Sequence, residues 1–225
     1  MLVSDGHHIP YHLNGLRLYT GPAYKFRTNL GYIETEEGDF AMMKVLIIVG
    51  SLRRKSFNRQ LADAISNIIS GHAKVSFLEY SDLPMMNQDL EYPVPAVVQR
   101  IRSEVTGADG LWIVTPEYNH SYPGVLKNLI DWLSRPVDPL DRRSGSAISG
   151  RKVAISSVAG NSSGSFCRER LSELLTTIGA DPMEDPQTGF TLDADAFTSD
   201  ILTLRPEDLD RLKIQADAFL DFIDD

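Results

Sequence analysis

From Lys44 to its end, this chain alternates short apolar runs with stretches whose apolar residues recur every three or four positions. Val45-Leu46-Ile47-Ile48-Val49 is apolar at every position, which suits a strand covered on both faces. Leu61, Ala62, Ile65, Ile68 and Ile69 follow at helical spacing, so 44–49 is predicted as a strand and 57–70 as a helix. Further strands are predicted at 74–80, 110–115 and 153–158. Helices are predicted at 97–105, from Pro123 onward, and at 166–178. A closing helix is expected at 206–223, because proline fits the first helical position and Glu207 and Asp208 suit its positive end. A last strand is expected at either 182–183 or 189–192. Such alternation implies an α/β fold with a parallel sheet between helical layers. Right-handed crossovers then gather the loops 50–58, 116–122 and 157–164 at one sheet edge, where ligands of such sheets bind.

Residues 1–42 differ in character. Fragments such as Leu16-Arg17-Leu18-Tyr19 alternate, but glycines and prolines interrupt them. The reading is an N-terminal extension over 1–42, either partly ordered or disordered, and a domain over 43–225 that holds every element above.

The two leading loops carry the chemistry. In Gly50-Ser51-Leu52-Arg53-Arg54-Lys55-Ser56-Phe57-Asn58, followed by Arg59, two hydroxyls, three cations and an asparagine stand at a strand-to-helix turn. A helix start offers unpaired N–H groups and the positive end of the dipole, which together favour a phosphate. Neither a P-loop nor a Gly-x-Gly-x-x-Gly fingerprint is present, so the loop suits holding a cofactor's phosphate more than cleaving one. The plain alternative is a solvated basic turn with Ser56 as an ordinary N-cap. The loop after the third strand reads Pro116-Glu117-Tyr118-Asn119-His120-Ser121-Tyr122-Pro123-Gly124. Its prolines stiffen the backbone, and Tyr118 can wall the face of a planar redox ring.

These motifs, with Val125-Leu126-Lys127-Asn128-Leu129-Ile130-Asp131-Trp132 after the second, resemble the NADPH-dependent FMN reductase family, in particular its bacterial quinone, chromate and azo-dye reductases. The resemblance runs from about Met43 to Asp225. It implies a flavodoxin-like three-layer sandwich with a five-stranded parallel sheet in order 2-1-3-4-5. It also implies non-covalent FMN, with the phosphate on Ser51, Arg53, Ser56, Phe57 and Asn58 and the ring edge at Pro116, Glu117, Tyr118 and Asn119. NADPH or NADH would be co-substrate, and quinones, azo dyes, chromate or free flavin the acceptors. The flavin would carry the chemistry, so no side chain is expected as a catalytic group. The alternative is a flavodoxin-type electron carrier that binds FMN without NAD(P)H turnover. One departure stands out: the family commonly has a double glycine in its third loop, where this chain has Ser163-Gly164. An arsenical-resistance branch, with arginine where Tyr118 stands, fits less well.

The remaining residues take plainer readings. A net charge of −9 argues against a nucleic-acid surface. No apolar run approaches the ~20 residues that span a bilayer, and a single cysteine, Cys167, cannot form an intramolecular disulfide. The expectation is a cytoplasmic enzyme with a small-molecule acceptor and neither nucleic-acid nor membrane partner. A homodimer or homotetramer is expected from the resemblance and from the aromatics Tyr118, Tyr122 and Trp132, with Trp132 equally suited to the core. His120 is read as a loop or subunit contact, Cys167 as a buried structural thiol, and His7, His8 and His12 as solvated side chains and no metal cage.

Overall fold

The computed structural model describes residues 42–138, 140–141 and 143–225, and before them the backbone of four short strands. Readings made on His7, His8, the His12 side chain and the rest of 1–41 lie outside the described residues. The chain divides into two units, Met1–Met42 and Met43–Asp225. In the first, β1 (His12–Leu13), β2 (Leu16–Thr20), β3 (Tyr24–Thr28) and β4 (Gly31–Tyr32) pair antiparallel in chain order.

The second unit is built around β5 (Met43–Val49), β6 (Ala73–Phe77), β7 (Gly110–Val114), β8 (Lys152–Ala159), β9 (Asp181–Pro182) and β10 (Thr188–Thr191). All pairings are parallel, in the order β6-β5-β7-β8-β10. That is the expected order 2-1-3-4-5. The register sets Leu46 beside Leu111 and Ile47 beside Trp112, so alternate residues of neighbouring strands share a face.

The two faces form two cores. Leu46, Ile48, Leu111, Ile113, Val153 and Ile155 pack against α2 (Ala96–Thr106), α3 (Gly124–Leu133) and α4 (Ser165–Thr177). Val45, Ile47, Trp112, Val114 and Ala154 pack with residues of α1 (Phe57–Ile69) and α6 (Pro206–Asp224). Strands apolar at every position are thus explained: each is buried on both sides. Gly110 is required where α6 crosses β7, since a Cβ there would meet Ile223 at 2.6 Å and Phe219 at 2.8 Å.

Two expectations change in detail. β6 stops at Phe77, although Leu78 and Tyr80 remain buried beyond it and the Tyr80 hydroxyl donates to Val49 O at 2.6 Å. The either-or for the last strand resolves into both segments: β9 pairs with the start of β8 and β10 with its end. A short helix, α5 (Ala196–Ser199), and a 3₁₀ turn at Gln88–Leu90 had no clear sequence signal. Among the described residues, no helix is long and apolar enough to cross a membrane.

Candidate functional site

The chain leaves β5 toward β6 on one side and returns to β7 on the other, so the switch point of the sheet lies at the carboxyl ends of β5 and β7. The loops after them start in contact: Gly50 N–H donates to Val114 O at 2.8 Å. A Cβ on Gly50 would lie 2.5 Å from Thr115 Oγ1, so only glycine allows this approach. Here opens a cavity of about 410 Å³, within the size range of small-ligand sites. Eight of the nine expected site residues line it: Ser51, Arg53, Ser56, Phe57, Asn58, Pro116, Glu117 and Tyr118.

One end is suited to an anion. Ser56, the N-cap of α1, is extended (φ −65°, ψ 133°), yet its side chain makes no capping bond, and the first turn has no acid. The first N–H groups of α1 therefore keep their donor capacity beside the Ser51 and Ser56 hydroxyls. The Arg53 guanidinium lies 5.0 Å from the Phe57 ring centre and donates from Nη1 to Asp200 Oδ1 at 2.8 Å. Arg54 does not line this cavity but a second one of about 400 Å³, which Ser51, Arg53 and Arg59 also line. Asn58 differs from expectation. Its side chain is buried, with Nδ2 donating to Val158 O at 2.9 Å and Oδ1 accepting from Val158 N at 2.8 Å. It pins α1 to β8, and what it can offer an anion is its backbone N–H near the helix start.

The opposite end is rigid backbone with an aromatic wall. Tyr118 and Ser121 exchange N–H···O bonds of 2.8 and 3.0 Å across a two-residue turn. Asn119 and His120 at its tip have φ of 52° and 58°, the left-handed conformation that asparagine tolerates well. Asn119 serves this turn and does not line the cavity. Tyr118 is 53% exposed, its ring available as a wall. His120 stacks on Phe166, in the first turn of α4, at 4.3 Å. Trp132 belongs to the core, fully buried with Nε1 donating to Pro84 O at 2.8 Å.

Glu117 links the second loop to the third. Its carboxylate accepts from Ser162 Oγ at 2.7 Å and from Cys167 N–H, in the first turn of α4, at 3.0 Å. A carboxylate there also meets the positive helix end. Burial and, secondarily, the Glu117 charge push the Cys167 thiol up to about 12, which keeps it protonated at neutral pH. In the third loop, where this chain has serine beside Gly164, Ser163 (φ 51°) and Gly164 (φ 74°) are both left-handed. The strain at Ser163 is offset by bonds that glycine could only half make: its hydroxyl lies 2.6 Å from Thr191 Oγ1, and its carbonyl accepts from Arg168 at 2.6 Å.

The rest of the described lining comes from Val158 and Ala159 at the end of β8 with Gly160 after it, and from Leu192, Phe197 and Asp200 after β10. The last three escape sequence reading, since no local motif marks them. The donor set fits FMN: open helix N–H groups, two hydroxyls and an arginine at one end, and Pro116, Glu117 and Tyr118 at the other. Among the described residues, no cluster of three or more His, Cys, Asp or Glu is placed to hold a metal.

Residues 43–195 match the family model described as NADPH-dependent FMN reductase. A 2-hydroxy-1,4-benzoquinone reductase of a Burkholderia species is 47% identical over 94 residues, covering 42% of this chain and 51% of that protein. This chain therefore spans about half the length of that relative. A quinone reductase of Escherichia coli K12 is 35% identical over 199 residues, covering 80% of this chain and 95% of that enzyme. Among solved structures, a flavoenzyme NAD(P)H:(acceptor) oxidoreductase of Paracoccus denitrificans superposes with a TM-score of 0.72 at 30% identity, covering 81% of this chain and 98% of that one.

Proposed function

The chain belongs to the NADPH-dependent FMN reductase family, and on that premise we propose that it is an FMN-dependent oxidoreductase passing reducing equivalents from NAD(P)H to quinones or similar small acceptors. The observation that carries this reading is one cavity with an uncapped helix start beside Arg53 at one end and the Pro116–Tyr118 backbone and ring at the other. FMN, when bound there, supplies the hydride and electron chemistry. The protein's own work is to bind, orient and exclude water.

In this reading the first N–H groups of α1, with Ser51, Ser56 and Arg53, hold the phosphate. Pro116 and Glu117 present a stiff edge to the ring, and Tyr118 walls the space beside it. Nucleotide and acceptor take turns in that space, which gives ping-pong kinetics. Both Glu117 oxygens are engaged by Ser162 and Cys167, so its work is to hold the second and third loops together. The same reading includes a cytoplasmic homodimer or homotetramer, checked by light scattering at micromolar concentration.

The purified protein should be yellow and release FMN, not FAD, on denaturation. Mixed anaerobically with NADH or NADPH, it should lose its flavin colour and regain it on adding a quinone. A protein that holds FMN but is not reduced by either nucleotide would be an electron carrier instead.

A further inference from the structure

We infer that Asp200 acts as a resident competitor for the cofactor's phosphate, a carboxylate that occupies the cations of the phosphate loop and sets how tightly FMN is held. The inference rests on the FMN reading above and adds to it a residue far from both motifs.

Asp200 follows α5 and sits in the left-handed region, φ 59° and ψ 23°. Its position is fixed by α1. Gln60 Nε2 donates to Asp200 O at 2.9 Å, and Gln60 Oε1 accepts from Leu202 N–H at 2.8 Å. Phe197, in α5, meets the Phe57 ring edge-on at 6.4 Å. So anchored, the carboxylate reaches Arg53 Nη1 at 2.8 Å and Lys55 Nζ at 3.7 Å. These are two of the three cations in the 50–58 loop, and Asp200 lines the same cavity as Arg53, Ser51 and Ser56. The Arg53 hydrogen bond holds its carboxyl below the usual carboxylate range, so it is charged at neutral pH.

The phosphate site is thus half taken. The N–H groups of α1 have no side-chain cap, while the cations already face an anion. An arriving phosphate must share or displace the carboxylate, and a negative charge remains beside it. The opposite role is also definite: a carboxylate that merely aims Arg53 would strengthen phosphate binding. The two roles differ in sign.

The test is Asp200→Asn in the full chain, freed of flavin by dialysis and titrated with FMN and with riboflavin, which has the ring but no phosphate. Asparagine suits the left-handed backbone, so the fold should be kept, and a melting curve checks this. FMN should bind about two- to fivefold tighter to the variant, the scale of an exposed ion pair, with riboflavin binding unchanged. Unchanged or weaker FMN binding by a folded variant, where wild type binds FMN, overturns the competitor role. An equal gain for riboflavin also overturns it, because the effect would then be space and not charge. Wild type that binds no flavin at all brings down the cofactor reading, and this inference with it.

Discussion

The two ends of the cavity are built on different physics. At the anion end, the contacts are side-chain ion pairs and open N–H groups: Arg53 pairs with Asp200, both partly exposed, and α1 starts without a side-chain cap. At the ring end, the contacts are short backbone bonds between Tyr118 and Ser121 and a carboxylate bridge from Glu117 to Ser162 and Cys167. The first end can exchange one anion for another at little cost to the fold. The second cannot lose a partner without loosening two loops. Substitutions at the anion end should therefore change cofactor affinity, and those at the ring end should change stability as well.

The largest effect is expected at the ring end. Glu117→Ala removes two hydrogen bonds to a charged acceptor, which should lower unfolding free energy by about 2–3 kcal/mol. Urea denaturation of the flavin-free protein measures it. A loss no greater than that of an exposed surface substitution would mean that the third loop is held by other contacts, such as those of Arg168.

Next comes the anion end. Arg53→Ala should weaken FMN binding about ten- to a hundredfold, the worth of a charged hydrogen bond to phosphate. Its folding stability should barely move. Arg54→Ala, which faces the second cavity, should change FMN binding little. Fluorescence titration separates the two, and equal retention of FMN by wild type and Arg53→Ala would break the comparison at its root.

These ends were unequally legible in the sequence. Residues that act on near neighbours could be read: the hydroxyls and cations of 50–58, the stiff Pro-Glu-Tyr turn, and strands apolar at every position. Asn58 and Glu117 were placed at the site, but not their partners. Asn58 bonds to Val158, 100 positions away, and Glu117 to Cys167, 50 positions away. A side chain closing on a distant backbone leaves no periodic trace. Asn119 is ambiguous in sequence for a related reason: a left-handed turn and a ligand contact suit the same residue type, and the structure places it in the turn. Leu192, Phe197 and Asp200 follow the last strand, whose two short halves share an edge of β8. Each half is too brief to show a strand pattern.

A smaller effect sharpens the ring end through pH. The Cys167 thiol is raised from its ordinary 9.0 to about 12, by burial first and the Glu117 charge second. The folded state therefore holds this proton more tightly than the unfolded chain. The resulting contribution is fully present below pH 9 and fades as pH rises toward 12. Cys167→Ala should flatten stability across that window. At pH 8 a coloured disulfide reagent should leave native Cys167 unreacted and label it once urea is added. Fast labelling of the folded protein would show that the first turn of α4 opens readily, against the rigid picture of this end.

The smallest expected effect is none, and it tests whether the comparison is complete. Every described residue that lines the cavity falls between Ser51 and Asp200, within the unit Met43–Asp225. If both ends are built from that unit, a protein starting at Met43 should bind FMN with a dissociation constant within about twofold of full length. The extension carries Tyr11, Tyr19, Tyr24, Phe26 and Tyr32, an aromatic content unlike that of a solvated tail. Its removal should therefore alter melting temperature or mass in solution more than cofactor binding. The two proteins are compared by FMN titration, by melting and by light scattering. Loss of FMN from a truncated protein that still melts cooperatively would mean that the extension supplies a wall to the site. The two ends would then be only part of what holds the cofactor. Riboflavin would locate that wall: loss of both flavins places it at the ring, and loss of FMN alone places it at the phosphate.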